Sequence, residues 1–359
     1  MAKKVYLALS GGVDSSVAAV LLLKKGYDVF PVFLKCWSEE SAGLKGIADC
    51  PWKEDQESAI AVCKKLGIQE QFQTWNFEPE FFESVVEYFI SEHKTGRTPN
   101  PDVICNQTIK FGLFFERALK EGADFVATGH YAKIKSGKKG YQLLKAECES
   151  KNDQTYFLYR ITQEQLSRTL FPIGEFKSKD KVRALAKKRG LPSAEKKSTR
   201  GICFVGKKNQ KELLFSFITP RAGSIVTKEG ELVGRHQGVE FYTLGQRRGI
   251  GLFGGKSPLF VAEKDLEKNV LVVAPERELW EKEVLVSDLH WISSVSPKLP
   301  FKCSAFIRHP QPETTPCILK KEENNTFKVI FKKPQWAPTK GQSVVFYQKE
   351  VVAGGAVIT

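Results

Sequence analysis

The 359-residue chain lacks several features that would settle its class at once. No apolar run reaches the length needed to cross a membrane, so a helical membrane protein is excluded and no membrane partner is expected. None of its eight cysteines forms a C-x-x-C pair or shows zinc-ligand spacing. Neither a zinc ribbon nor a thioredoxin-type centre is therefore expected, nor any resident metal ion. No export signal is legible, because Met1-Ala2-Lys3-Lys4 runs straight into an apolar strand, Val5 to Leu9. The expectation is a cytoplasmic protein whose thiols stay reduced, some of them available for chemistry. Internal repeats and low-complexity tracts are missing as well, which removes the solenoid and disordered classes.

Acidic residues are in short supply. Asp and Glu number 41 against 55 Lys and Arg, a net charge of +14. With 42% hydrophobic residues the chain has ample material for cores, so this surplus belongs to a folded protein and points to a polyanionic partner. The charge is concentrated between Lys177 and Lys211, where 13 basic residues face only Asp180 and Glu195. A solvated helix face would explain such a run; a nucleic-acid surface explains it better, because the run leads into a cysteine segment.

The first half alternates short apolar runs with helical stretches. Val5–Leu9, Val29–Leu34, Phe72–Phe77 and Phe125–Thr128 read as strands; 15–25, 55–66, 81–94 and 110–121 read as helices. That alternation predicts an α/β fold with a doubly wound parallel sheet. After about Thr219 the pattern changes to short β-branched runs such as Val270–Val273, Phe327–Phe331 and Val344–Tyr347. These predict a small central β module and a C-terminal β-barrel. The expected domains are 1–210, carrying the catalytic residues and a helical extension, then 211–280 and 281–359.

The strongest local signal is Ser10-Gly11-Gly12-Val13-Asp14-Ser15-Ser16, directly between the first strand and the first helix. Two glycines allow close backbone approach to an anion, and the helix start offers unpaired N–H groups and a positive dipole end. No Walker A loop is present. Gly249–Gly254 fits G-x-G-x-x-G literally and Gly254-Gly255-Lys256-Ser257 imitates a phosphate loop, but neither follows an apolar strand. Two cysteines stand in unusual settings. Cys105 follows Thr98-Pro99-Asn100-Pro101-Asp102, whose prolines predict a non-helical loop just before helix 110–121, a position that favours a thiolate. Cys203 follows the cations Lys196, Lys197 and Arg200, which have the same effect. Taken singly, either cysteine reads equally well as a small buried hydrophobe.

Together these segments resemble one family. The loop Ser10–Ser16 matches the signature of the PP-loop ATP pyrophosphatases. Joined to Pro99-Asn100-Pro101-Asp102 with Cys105-Asn106 and Ile109–Gly112, and to Gly201-Ile202-Cys203-Phe204, it resembles the tRNA-specific 2-thiouridylases over essentially the whole chain. The resemblance implies that ATP, with Mg²⁺, adenylates the carbon-2 oxygen of the wobble uridine in tRNA for Lys, Glu and Gln. Sulfur would arrive as a persulfide from a cysteine desulfurase or a relay protein. Cys203 would carry it, Cys105 would be the nucleophile, and Asp102 the general acid or base. The implied ATP site comprises Ala8, Leu9, Ser10, Gly11, Gly12, Val13, Asp14, Ser15, Ser16, Leu34 and Gly129. The implied contacts to the target base and tRNA are Asn100, Pro101, Asp102, Asn152, Asp153, Gln154, Arg308 and His309. The sequence departs from the family at Ser198-Thr199-Arg200, where an acidic residue is usual, and at Leu34, Cys36, Asn152 and His309. Competing readings are another PP-loop tRNA-modifying enzyme, an RNA-binding module with a degenerate nucleotide site, and a thiolase whose Asp102, Cys105 and Cys203 hold an iron–sulfur cluster.

Overall fold

A computed structural model describes residues 2–38, 51–137, 140–196, 210–254, 258–322 and 326–359. The sheet that organises the first half has five strands in the order β3-β2-β1-β4-β7. These are β1 Lys4–Ala8, β2 Asp28–Lys35, β3 Gln73–Asn76, β4 Phe125–Thr128 and β7 Thr169–Leu170. Every pair is parallel.

Alternation along β1 explains the two-sided core. Val5, Leu7 and Leu9 point to one face, where they meet α1 (Val13–Lys24), α2 (Trp52–Leu66) and α6 (Lys179–Lys188). Tyr6 points to the other face and packs with Trp75, Phe81, Phe89 and Phe114. Those phenylalanines come from α3 (residues 78–94) and α4 (residues 101–120), each interrupted by a widened π turn, at Phe82–Val86 and Asn106–Leu113. A short helix, α5 (Gln163–Ser167), leads into the edge strand β7. The doubly wound sheet is therefore as the alternation predicts.

One boundary is not. The segment Pro101–Cys105 is helical and runs without a break into Asn106–Leu113, so α4 begins nine residues before the expected Lys110. Pro101 occupies the first helical position, where its fixed φ suits the helix and its missing N–H costs nothing. The segment 97–100 before it stays non-helical, with Asn100 at φ −116°, ψ 81°. Pro99 lies in a loop as expected, while Pro101 starts a helix where the loop was expected to continue.

A small sheet and a barrel complete the architecture. Strands β8 Gly223–Thr227, β9 Leu232–His236, β10 Leu259–Asp265 and β11 Val270–Pro275 form a four-stranded sheet in the order β10-β11-β8-β9. Its Ile225, Val261 and Leu271 share a core with α3 and with α7 (Gln210–Phe215). Strands β12 Trp280–Trp291, β13 Phe301–Phe306, β14 Thr315–Lys321, β15 Phe327–Trp336, β16 Ser343–Gln348 and β17 Val351–Ile358 close into a six-stranded barrel through the β12–β17 pairing. The barrel is tied to the first half. The hairpin β5 Ala132–Gly137 and β6 Gly140–Lys145 leaves the parallel sheet just after β4 and adds to β17, with Val351 opposite Leu144 and Val352 opposite Leu143.

Candidate active site

The strand order reverses between β1 and β4: β2 and β3 lie to one side of β1, β4 and β7 to the other. In open α/β sheets the crevice at the carboxyl ends of such a pair is where ligands sit. The loop Ser10–Gly12 leaves β1 there and enters α1 at Val13. Gly12 caps the helix with no side-chain hydrogen bond, which leaves the first-turn N–H groups facing the crevice. The loop is held from within: Ser16 Oγ donates to the Gly12 carbonyl at 2.7 Å, and Ser58 Oγ of α2 to the Gly11 carbonyl at 2.8 Å. Gly11 has φ +72°, and a Cβ there would stand 2.2 Å from the Asp55 carbonyl oxygen, so no other residue fits.

The loop after β4 closes against this one. A Cβ on Gly129 would meet Ser15 N at 2.7 Å. Two residues on, Tyr131 Oη donates to Asp14 Oδ1 at 2.9 Å, and Lys179 Nζ of α6 reaches Asp14 Oδ2 at 2.8 Å. Leu34 lies at the carboxyl end of β2, partly buried against the aromatic core on the α3/α4 face.

Asp102 and Cys105 stand one turn apart at the start of α4. Cys105 is 8% exposed. Burial raises the pKa of its thiol; Lys110 opposes the rise and Asp102 adds to it. The thiolate-favouring position expected from the sequence is thus corrected: Cys105 lies inside a helix, and its surroundings favour the neutral thiol. Burial likewise raises the Asp102 carboxyl, against the pull of Lys110 and His309. Lys110 also acts on His130, which burial pushes well below the usual histidine range and whose Nδ1 lies 2.7 Å from Thr128 Oγ1. Sequence reasoning passed over Lys110. It lies five positions beyond Cys105, off-face in an α-helix, but the π turn over Asn106–Leu113 brings a fifth residue round to the same side.

The remaining expected contacts line the barrel side of this surface. Asp153 is 6% exposed; its Oδ2 accepts from Ala146 N at 2.7 Å and its Oδ1 from Thr155 N at 3.1 Å. The Asp153 carbonyl accepts from His309 Nε2 at 2.8 Å. Gln154 exchanges two hydrogen bonds with Tyr131, each 3.0 Å. Arg308 donates to the carbonyls of Trp336 and Ala337, at 2.9 and 2.6 Å, so its guanidinium braces the barrel. Asn152 N bonds the Glu149 carbonyl at 2.8 Å. Asn100 is buried and Pro101 beside it starts α4. A run of contacts leads from the Ser10–Gly12 loop towards the cysteine helix: Asp14 to Tyr131, Tyr131 to Gln154, and Asp153 to His309, whose charge acts on Asp102. Cys203 and the triplet Ser198–Arg200 lie outside the described residues.

Residues 3–207 match a family described as tRNA methyl transferase HUP domain, 211–275 one described as tRNA methyl transferase PRC-barrel domain, and 281–358 one described as aminomethyltransferase beta-barrel domain. A tRNA-specific 2-thiouridylase MnmA of Alkaliphilus oremlandii is 44% identical over 99% of this chain and 96% of its own. The protein of the same name in Methylobacillus flagellatus is 42% identical over 100% and 99%. Among solved structures, a 4-thiouridine synthetase–RNA complex with bound ATP aligns at 17% identity and TM-score 0.34, over 58% of this chain and 46% of that one. On the full-length relatives, the chain belongs to the tRNA-specific 2-thiouridylase family.

Proposed function

We infer that this chain is a tRNA-uridine 2-sulfurtransferase that makes 2-thiouridine in tRNA. The observation that supports the reading is the run of contacts from Asp14 through Tyr131 to Gln154 and from Asp153 to His309, beside the Asp102–Cys105 pair at the start of α4. Methyl transfer, the wording of two of the family descriptions, would use neither.

In the reaction that fits, ATP lies with its phosphates on Ser10–Ser16 and its adenine side towards Leu34 and Gly129. The carbon-2 oxygen of the uridine attacks the α-phosphate and pyrophosphate leaves, which turns a poor leaving group into AMP. Mg²⁺ would come with the triphosphate, since it binds mostly through substrate phosphates and water; there it neutralises phosphate charge. The terminal sulfur of a persulfide on Cys203 attacks carbon 2, and AMP departs. The Cys105 thiolate then attacks the Cys203 sulfur, leaving the new sulfur on uridine and a Cys105–Cys203 disulfide that an outside thiol reduces. Asp102, whose carboxyl pKa is raised by burial, supplies or removes the proton at this step. The sulfur comes from a cysteine desulfurase or a relay protein, in the cytoplasm. Asn100–Asp102 face the base, and Asn152–Gln154 with Arg308-His309 shape the tRNA contact through backbone groups, because several of their side chains are engaged within the chain.

The test is thiolation of an unmodified tRNA-Glu transcript with ATP and a persulfide source, comparing wild type with Cys105→Ser and Cys203→Ser. Thiouridine is read by mass spectrometry and AMP in parallel. Product from wild type only, with AMP still formed by both variants, supports the order given. Wild type that releases no AMP and makes no thiouridine overturns it.

A further inference from the structure

Two cysteines of the barrel, which the thiolation chemistry does not use, face each other across a strand pair. Cys303 of β13 is in register with Cys317 of β14, and their Sγ atoms lie 3.5 Å apart. Directly opposite residues of antiparallel strands have Cα atoms about 4.5–5.5 Å apart and side chains on one face. A disulfide needs Cα atoms about 4.4–6.8 Å apart, so the backbone already stands where the bond would put it.

The two thiols differ in access. Cys317 is 6% exposed, in the barrel core with Leu319, Val329 and Phe331, whereas Cys303 is partly exposed. Contact with Cys303, then burial, raises the pKa of the Cys317 thiol. A reagent from solvent therefore meets Cys303 first, with Cys317 directly behind it, the arrangement of an attacking and a resolving thiol. Packing alone would be served by alanine or valine. The pair also sits near the base of a hairpin that matters elsewhere. Residues 307–314 join β13 to β14, and this loop meets the segment 150–153: Ser150 Oγ donates to the Gln311 carbonyl, and His309 Nε2 to the Asp153 carbonyl at 2.8 Å.

We propose that Cys303 and Cys317 are a reversible thiol–disulfide site whose closure clamps the hairpin that carries Arg308, His309 and Gln311. The oxidant is a low-molecular-weight disulfide. The Cys303 thiolate attacks one of its sulfurs, forming a mixed disulfide and expelling one small thiolate. The Cys317 thiolate then attacks Cys303 Sγ, closing the cross-strand bond and expelling the other. The small disulfide takes the two electrons, and its two thiolates take the two protons that the cysteines lose. Excess thiol reverses the exchange, as for redox-sensing disulfides in a reducing compartment. Neither ATP nor tRNA takes part, so the site stands apart from Cys105 and from the thiolation reading.

The experiment treats the reduced full chain with glutathione disulfide, without ATP or tRNA. Remaining thiols are blocked with iodoacetamide, peptides are mapped under non-reducing conditions, and amide hydrogen exchange is followed over 307–314. Wild type should yield a linked Cys303–Cys317 peptide that dithiothreitol removes, and exchange over 307–314 should slow severalfold in the oxidised form. Cys317→Ala should stop at a glutathione adduct on Cys303, and Cys303→Ser should leave Cys317 unmodified; neither should show slowed exchange. Absence of the linked peptide from wild type overturns the proposal, as does a Cys303 adduct that persists with Cys317 intact. So does a linked peptide that leaves exchange over 307–314 unchanged, since the bond would then clamp nothing. If a variant fails to fold by circular dichroism, the two redox states of wild type decide alone.

Discussion

Asp102 raises the pKa of Cys105 from one helical turn away, and Lys110 lowers it from the other side. Burial is the largest influence on the thiol, and two neighbours of opposite charge shift it in opposite directions. Reactivity at Cys105 should follow that balance.

Alkylation by iodoacetamide, read at Cys105 by peptide mass spectrometry, should be slow at neutral pH and should rise only above the ordinary thiol range. Asp102→Asn should shift the profile to lower pH and Lys110→Ala to higher pH. A profile centred near the usual thiol pKa in all three proteins would show that the neighbours do not govern it.

The same geometry bears on stability. Asp102 has its carboxyl pKa raised in the folded state, so the native protein holds this proton more tightly than the unfolded chain. Stability contributed by the protonated acid is therefore lost as pH rises from the ordinary carboxyl value through the raised one. Asp102→Asn removes the ionisable group, and the fold should be more stable at neutral pH while thiolation collapses. Chemical denaturation at pH 5 and pH 8 checks this: the gain should be larger at pH 8.

His93 supplies an acid-sensitive joint. It is buried, and burial followed by Lys264 lowers its pKa to about 3. Neutral imidazole fits the bonds it makes: Nδ1 donates to the Arg97 carbonyl at 3.1 Å, and Nε2 accepts from Gln210 Nε2 at 2.9 Å. Because the folded pKa lies below the unfolded 6.5, stability should drop as pH falls from about 6.5 towards about 3, by on the order of 4 kcal/mol at the lower end. His93→Gln should flatten that pH dependence in urea melts, at the cost of some stability at pH 7.

Gly129 tests the switch-point crevice. An added Cβ would press on Ser15 N at 2.7 Å, which is backbone that cannot swing aside. Gly129→Ala should cut ATP affinity tenfold or more and lower the melting temperature as well, because the clash falls on the backbone where α1 begins, between buried Thr128 and His130. Gly11→Ala, strained both by φ +72° and by the Asp55 carbonyl, should lose binding and stability together.

The parallel sheet and the tight turn into α1 were legible because each depends on local sequence: apolar runs bounded by Gly, and a Gly-Gly turn between strand and helix. The start of α4 was not, because Pro101 marks a helix start and a loop equally well, and only the packing of Val103 and Ile109 decides between them. Lys110 was hidden by the π turn. Tyr131 and Lys179 were hidden by distance, lying 117 and 165 positions from Asp14. The hairpin β5–β6 escaped notice because its pairing partner is β17, some two hundred positions later. The site is readable as motifs, but the contacts that join the motifs are long-range.

That last pairing has a consequence for the autonomy of the first half. Tyr131 and Gln154 flank a hairpin whose outer edge pairs with Val351 and Val352, and Tyr347 beside them meets Thr155 Oγ1 at 3.2 Å. The hairpin that leaves the parallel sheet after β4 is thus completed by a strand of the barrel, so the first half of the chain does not form this sheet edge by itself.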